Sequence, residues 1–254
     1  INKAAELKIA ITPTGIISNE NLKTWDLGSL EGTEETRAVK NQINDLIRNP
    51  DRPVPGGESF AVFTQRMIPE IKRIFEEAPN GTLIITDAET VKLIDEWHKQ
   101  NMPDVLSKQS LENIIKDDET RSKIKEFKIG EKTIYMTSHG EVNQNKGVKG
   151  AAILVRAQSD DLVEKGIEEA HTLGKELASK NISSIISSSL PGALTAADII
   201  KDEIDESKKP KIDEVQEKTL EEKLARVTNL EELKEPELKL VGNFVEPAKE
   251  VSSG

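Results

Sequence analysis

The chain has 254 residues and a formal net charge of −11, from 46 acidic and 35 basic side chains. That negative excess repels nucleic acid and anionic lipid, so we predict neither as a partner. The absence of cysteine excludes disulfides, thiolate metal sites and cysteine nucleophiles, and three histidines are too few for a histidine-rich metal centre. We therefore expect no cofactor and no metal, and any chemistry must use His, Ser, Thr, carboxylates, Lys or Arg.

The sequence predicts a soluble chain. No apolar run approaches the roughly 18–20 residues that a membrane span needs. Residues Ile1–Glu6 lack the apolar core of a signal peptide, so we expect the cytoplasm or another reducing compartment and no membrane contact. The hydrophobic content of 35% is low for a chain that is compact throughout, which predicts that part of it is charged tail or linker.

Strand-like and helix-like hydropathy periods alternate along the chain, which is typical of an α/β sheet. A surface loop rich in turn residues is predicted at Asn19–Gly32, after the first strand. The predicted strands are Leu7–Thr12, Thr82–Thr86, Thr133–Thr137, Ala151–Val155 and Ile182–Ser187.

Four helices are predicted from apolar residues at helical spacing. Ser59 is placed to cap the strongest of them, whose inward face is Phe60, Phe63, Met67, Ile71, Ile74 and Phe75. A second helix begins with Val91–Trp97. A third covers Leu162–Ser179, and its inward residues are Ile167, Ala170, Leu173 and Leu177. A fourth covers Leu194–Ile204. Residues 104–130 are predicted to be a helix and a loop, and residues 205–254 a charged tail.

One histidine directly follows a predicted buried strand. Thr133–Thr137 runs into Ser138, His139 and Gly140, and the carboxyl end of a strand in an open α/β sheet is where ligands bind. A histidine there is placed for nucleophilic or acid/base work, and the glycine lets a substrate approach the backbone closely. Taken alone, a His-Gly pair at a strand end is more often an ordinary turn.

The surroundings of His139 resemble a known family. Ile134–Asn145 is similar to the opening motif of the histidine phosphatase (phosphoglycerate mutase-like) superfamily, whose first strand ends in Arg-His-Gly followed by Glu and Asn. Leu162–Ala170 resembles the family's Leu-Thr-x-x-Gly-x-x-Gln-Ala helix start, and Ile185–Ala197 resembles its Ser-Ser-x-Leu-x-Arg-Ala-x-x-Thr-Ala segment. Three segments in the family's order are far more specific than any one of them.

Segments similar to the family's second half come before those of its first half. Leu22–Gly32 resembles the loop Leu-x-Glu-x-Asp-x-Gly-x-Trp-Glu-Gly, and Pro55–Ser59, with Phe63 and Arg66, resembles Pro-Gly-Gly-Glu-Ser and its helix. Leu83–Ala88 occupies the place of the strand that ends in the family's second catalytic His-Gly. The inversion indicates either a circular permutation or a piece cut from a tandem pair.

The resemblance implies a three-layer α/β fold, with a mostly parallel sheet and helices on both faces, in permuted order. Residues 1–103 are then the second-half segment, residues 104–130 a charged connector, and residues 131–204 the first-half segment.

The resemblance also implies that one of five catalytic positions is retained. The family uses a histidine nucleophile, two arginines and a second histidine around the phosphoryl group, and a carboxylic acid that protonates the leaving oxygen. His139 keeps the nucleophile position. Ser138 and Gly192 stand in place of the arginines, Asp87 in place of the second histidine and Thr24 in place of the acid. These changes remove the cations that stabilise phosphoryl transfer.

Three cations are candidates to replace the missing ones and bind phosphate. Lys146, Lys149 and Arg156 lie in or beside the loop that follows His139. The ordinary interpretation is that surface lysines and arginines in a loop are only solvated.

The remaining candidates each have a structural alternative. Asp87 with Glu89 suits a hard cation, or a helix N-cap with first-turn charge. Glu31 and Glu58 are candidates for the lost acid, although a structural role for Gly-Glu-Ser is favoured. His98 and His171 lie on predicted helices and are predicted to be structural.

Three functions fit these observations. The first is a catalytically degenerate histidine-phosphatase-like domain that acts as a binding module, with a protein partner or self-assembly through the acidic tail. The second is a phosphomonoesterase or phosphomutase that uses His139 with relocated cations. The third is a structural subunit of a larger assembly.

Overall fold

Six strands form one mixed sheet in the computed structural model, which describes residues 9–12, 14–116, 123–142 and 161–209. The strands are β1 (Ile9–Ile11), β2 (Ile17–Asn19), β3 (Thr82–Thr86), β4 (Lys125–Ile129), β5 (Lys132–Ser138) and β6 (Ser184–Ser188). Within the same ranges, the helices are α1 (Arg37–Arg48), α2 (Phe60–Glu77), α3 (Ala88–Lys99), α4 (Lys108–Lys116), α5 (Glu164–Leu177) and α6 (Pro191–Lys208).

The strand order is β1-β2-β6-β3-β5-β4. The inner strands β2, β6, β3 and β5 run parallel, whereas β1 and β4 pair antiparallel at the two edges. All four parallel strands therefore end at the same edge of the sheet. The expected α/β architecture with a mostly parallel sheet is confirmed.

Helices cover both faces of the sheet, which makes three layers. On one face, Ile84, Met136 and Ile186 pack in a core with side chains of α2, α3 and α4. On the other face, Leu83 and Ile85 pack with side chains of α5 and α6. The central strand β3 is fully buried, which explains why Thr82–Thr86 is a continuous apolar run rather than an alternating one.

The helix α2 forms as its sequence predicts. The hydroxyl of Ser59 accepts a hydrogen bond from the backbone N–H of Val62 at 3.2 Å, which satisfies one of the first-turn donors. Its six predicted inward residues are all buried: Phe60, Phe63, Met67, Ile71, Ile74 and Phe75.

Three elements were not predicted. The strand β2 has only three residues and lies partly in the predicted loop Asn19–Gly32, which otherwise holds irregular backbone and two 3₁₀ turns. The helix α1 buries Leu46 and Ile47, and its apolar residues Val39, Ile43, Leu46 and Ile47 do stand at helical spacing, so this helix was overlooked although its sequence carries the pattern. The strand β4 lies in the predicted connector 104–130, where Phe127 alone of its five residues is buried, as suits an edge strand.

One predicted inward residue is wrong. Ile167 is 38% exposed, and the buried stripe of α5 begins at Gly166 instead. The reason is tertiary: the start of α5 lies directly on the backbone at Gly140 and Glu141, and a glycine is needed at that contact.

Two further predictions lie wholly or partly outside the residues that the structure describes. The predicted strand Ala151–Val155 lies outside the described residues. The first residues of the predicted tail 205–254 continue α6, which ends at Lys208.

Replacing Ile71 with alanine should test the packing of α2 on the sheet. Ile71 is fully buried, so Ile71→Ala is expected to lower the free energy of unfolding by about 2–5 kcal/mol in urea denaturation. Val62 on the same helix is 50% exposed, and Val62→Ala should change stability by less than about 0.5 kcal/mol. Equal midpoints for the two variants would show that this face of α2 does not carry the core.

Candidate functional site

The candidate site lies where the parallel strands end. In the register of the sheet, Thr86 of β3 pairs with Ser138 of β5, and the backbone N–H of His139 donates to the carbonyl of Thr86 at 2.9 Å. Asp87 and His139 are therefore the next residues on two neighbouring strands. The sequence placed both residues at strand ends, and the structure brings those ends together.

The imidazole of His139 is held by its own loop. Its Nδ1 lies 2.8 Å from the carbonyl oxygen of Gly140, and the side chain is half-buried. A carbonyl oxygen only accepts hydrogen bonds, so Nδ1 carries the proton in the neutral ring and Nε2 carries the lone pair. The arrangement leaves Nε2 as the atom able to act as a nucleophile or base.

Close packing against α5 fixes the loop after β5. A Cβ at Gly140 would lie 2.4 Å from the carbonyl oxygen of Gly166, and a Cβ at Gly166 would lie 2.0 Å from that of Glu141. Both contacts are with backbone atoms, which cannot move aside as a flexible side chain would. Glycine at both positions therefore sets where His139 sits relative to α5.

The carboxylate of Asp87 is the N-cap of α3. Its Oδ1 accepts from the backbone N–H of Thr90 at 2.9 Å, and its Oδ2 accepts from the hydroxyls of Thr90 at 2.6 Å and Thr86 at 3.2 Å. The residue is 6% exposed, and Glu89 adds acidic charge in the same first turn. These contacts match the N-cap alternative for Asp87 and Glu89.

The loop that carries Thr24 is tied to α2 by one arginine. The guanidinium of Arg66 donates to the carbonyls of Asn21 and Lys23, each at 2.9 Å, and of Thr24 at 3.2 Å. It also pairs with Glu58 at 2.6 Å. Arg66 is thus engaged in holding the loop, and Glu58 has the structural role that the sequence favoured.

A buried carboxylate on α2 holds the same loop from the other side. Glu70 accepts from Asn19 at 2.7 Å and Asn21 at 3.5 Å and pairs with Arg73 at 2.6 Å. Burial raises the pKa of Glu70, but the hydrogen bonds from Arg73, Asn19 and Asn21 outweigh it and leave this pKa below its usual value of 4.5. No pattern in the sequence singled out Glu70, because an isolated glutamate on a helix carries no local signal.

The end of β6 and the start of α6 lie at the same edge of the sheet. Ser188 ends β6 beside Asn19 of β2, and Gly192 is buried in the first turn of α6. Leu190, the N-cap residue of α6, makes no side-chain cap hydrogen bond. The Oγ of Ser189 is buried without a hydrogen-bond partner, the one such side-chain atom in the part of the chain that the structure describes.

The loop that contains Thr24 is bonded to this edge through Leu22. The carbonyl of Leu22 accepts from the hydroxyl of Thr86 at 3.0 Å, so the loop before Thr24 is bonded to the end of β3. Asp87, Ser138 and His139 are thus brought together directly, and Thr24 and Gly192 follow elements that end at the same edge. The candidates Lys146, Lys149 and Arg156 lie outside the described residues.

The remaining histidines have contacts away from this edge. His98 lies in the last turn of α3, at the opposite end from Asp87, with its ring edge-on to Phe127 at 5.1 Å. The Nδ1 of His171 lies 2.7 Å from Glu203 across the α5–α6 pair. Both environments are those of structural side chains.

A scan against protein-family models matches the chain to the histidine phosphatase superfamily, branch 1, over residues 3–109 and 134–239. The two segments together cover well over half of the sequence. The chain belongs to the histidine phosphatase superfamily. Searches of curated proteins and of solved structures each found no match.

The family assignment confirms the resemblance seen in the sequence, and the observed sheet fits the phosphoglycerate mutase-like architecture of this superfamily. Among the described helices, none has the length and apolar character to cross a bilayer. Over the same residues, no group of three or more metal-ligating side chains is gathered at one place.

Gly166→Ala should displace the histidine loop. The added methyl meets the Glu141 carbonyl, so we expect a loss of about 1–3 kcal/mol of stability and a changed NMR chemical shift for the His139 ring. Glu168→Ala, an exposed change on the same helix, should leave both unchanged. An unaltered His139 signal in Gly166→Ala would contradict the contact described above.

Glu70 should make the free energy of unfolding depend on pH in the acid range. A carboxyl with a depressed native pKa stabilises the fold fully above its unfolded pKa, and this contribution is lost as the pH falls through the native value, below about 4.5. We expect Glu70→Gln to flatten that part of the stability curve in chemical unfolding between neutral and acid pH. Glu76→Gln, an exposed change on the same helix, should not; parallel curves for wild type and Glu70→Gln would refute the linkage.

Proposed function

We propose that this protein is a catalytically degenerate histidine phosphatase domain that serves as a binding or structural module. One observation carries the proposal. Four of the five positions around the strand ends, Ser138, Gly192, Asp87 and Thr24, lack the residue type that the superfamily's chemistry uses. Only the histidine at position 139 is kept.

The size of the electrostatic loss supports this proposal. A charge-assisted hydrogen bond contributes about 1.5–3 kcal/mol, so removing two arginines and one histidine forfeits roughly 4.5–9 kcal/mol of interaction with a phosphoryl dianion. At about 1.4 kcal/mol for each tenfold change, that is roughly three to six orders of magnitude in affinity. The transition state, with its charge spread over equatorial oxygens, loses at least as much.

The described cations near the site are already paired. Arg66 is bonded to loop carbonyls and to Glu58, and Lys165 pairs with Glu141 at 2.8 Å. The carboxylate of Asp87 adds negative charge where the superfamily places a histidine. Arg66 and Lys165 are therefore largely neutralised by their acidic partners, and the carboxylate of Asp87 would repel a phosphate dianion.

One observation favours the alternative, a phosphomonoesterase or phosphomutase. The bond between His139 Nδ1 and the Gly140 carbonyl leaves Nε2 with its lone pair, as a phospho-accepting histidine requires. In that case His139 is the nucleophile, and Lys146, Lys149 and Arg156 supply the cations. The orientation of one ring supports retention of geometry, but it does not replace the lost charge.

We also propose that the inverted order is a circular permutation within one chain. The strand β3, from the second-half segment, lies between β5 and β6 of the first-half segment. The hydrogen-bonded pairs β3–β5 and β3–β6 both cross between the two segments, so the segments meet within the same sheet. Neither segment has the neighbours needed to form a continuous sheet alone, which supports one interleaved fold over two separate half-folds.

The charged C-terminal residues offer a route to a partner. Residues 205–254 hold 13 acidic and 9 basic side chains, and we propose that this net negative segment contacts a basic protein surface or mediates self-assembly. The net charge of −11 favours a cationic partner for the chain as a whole.

A phosphomonoesterase assay separates the proposal from its alternative. With a chromogenic phosphate ester, wild type and His139→Ala should show the same background rate, because the cationic groups that stabilise the transition state are missing. His171→Ala serves as the matched histidine control. If the wild-type rate is well above that of His139→Ala, and His171→Ala equals wild type, the protein is an active phosphatase and the proposal of a degenerate domain is wrong.

A further inference from the structure

The turn between α2 and β3 joins the amino ends of three strands. The side-chain carbonyl of Asn80 accepts from the backbone N–H of Thr133 at 2.8 Å, and the N–H of Gly81 donates to the carbonyl of Thr133 at 2.9 Å. On the other side, the hydroxyl of Ser183 donates to the Asn80 carbonyl at 2.7 Å, and the N–H of Ser183 to that of Gly81 at 3.0 Å. Four hydrogen bonds therefore clamp one dipeptide.

That dipeptide is chemically labile. In an Asn-Gly pair the glycine nitrogen reaches the side-chain amide carbon with no Cβ in the way, and Asn80-Gly81 is the chain's one such pair. The side chain of Asn80 is exposed to water. We propose that Asn80 is a deamidation site whose reaction is gated by opening of this four-bond clamp.

The reaction needs only solvent water. The Gly81 nitrogen loses its proton and bonds to Cγ of Asn80, and the side-chain nitrogen leaves as ammonia to give a cyclic imide. Water then opens either imide carbonyl, which yields aspartate or isoaspartate. No oxidant, reductant or enzyme enters the balance.

The clamp opposes the first step at both reacting atoms. The Gly81 N–H is held by the Thr133 carbonyl, and the Asn80 side chain is fixed through its oxygen to the Thr133 N–H. Both bonds join the pair to the same residue, so the ring cannot close without breaking the link to β5. Reaction then requires local opening of the turn, which is a rare state in a folded domain.

The isoaspartate product would not fit the closed turn. It adds a methylene to the backbone just before β3, where a Cβ at Gly81 would already lie 2.1 Å from the carbonyl oxygen of Asn181. The register from Thr82 onward sets Thr86 against Ser138, so a lengthened turn also shifts Asp87 relative to His139. An aspartate at position 80 keeps the oxygen that accepts from Thr133 and is expected to be tolerated.

The experiment follows deamidation by peptide mass mapping during incubation at mildly alkaline pH. The four samples are native wild type, wild type in urea, Ser183→Ala, and the control Ser179→Ala, whose hydroxyl donates to the carbonyl of Glu176 in the last turn of α5. We expect slow reaction at Asn80 in native wild type and Ser179→Ala, several-fold faster reaction in Ser183→Ala, and the fastest in urea. Asn181, which precedes a β-branched residue, should stay intact as an internal reference.

Equal rates for native and urea-unfolded wild type would overturn the gating, and so would equal acceleration by both serine variants. An intact Asn80 in urea would overturn the site itself. Circular dichroism verifies that Ser183→Ala is folded; if it is not, the comparison of wild type with and without urea decides the question alone. Asn80→Asp should keep the thermal midpoint of wild type, whereas a fraction enriched in isoaspartate should melt lower.

Discussion

The parallel register of β3 between β5 and β6 is the constraint on which the rest of this structure depends. It sets Thr86 against Ser138 and so aligns the residues that follow each strand. The neighbouring parallel strand β6 ends at the same edge, so the segments that carry His139, Asp87 and Gly192 all follow strands that end there. The site is thus a property of sheet topology first and of side-chain chemistry second.

The residues proposed to stand at the family's catalytic positions are bonded to the framework to different degrees. Asp87 is the N-cap of α3 and accepts hydroxyl hydrogen bonds from Thr86 and Thr90, so its carboxylate is needed where it stands. Placing a histidine there would cost about 0.5–2 kcal/mol for the lost cap. The loop with Thr24, by contrast, is held through backbone carbonyls, so its side chain is less constrained. The fold is supported chiefly by the register of β3, the glycine contacts with α5 and the packing of α2.

The sequence predicted those parts of the molecule in which one local pattern decides the structure. The predictions of β3 and of the apolar face of α2 were correct because burial is visible in the hydropathy pattern. A strand buried on both faces is a continuous apolar run, and a helix buried on one side has apolar residues at helical spacing. The strand β2 was missed because three residues are too few to show an alternating pattern, and the edge strand β4 because only Phe127 of its five residues is buried. The error at Ile167 has a tertiary origin, since the close approach of α5 to the backbone at Gly140 and Glu141 makes Gly166 the buried position.

The same distinction applies to the candidate site. The positions of His139 and Asp87 at strand ends were correct because each follows a strand that the hydropathy pattern predicts, whereas their roles stay predictions. Glu70 was missed because its partners, Asn19 and Arg73, are recognisable only in three dimensions. The assignment of Asp87 as a cap was open in the sequence and is decided by geometry.

The most direct test of the central claim is isothermal titration calorimetry of the wild-type protein with orthovanadate, which mimics the phosphoryl group in the transition state of its transfer. A cleft without its cations should give no saturable heat, and His139→Ala should be indistinguishable from wild type. Saturable binding by the wild type that disappears in His139→Ala would show that positive charge still surrounds that imidazole, and would contradict the account.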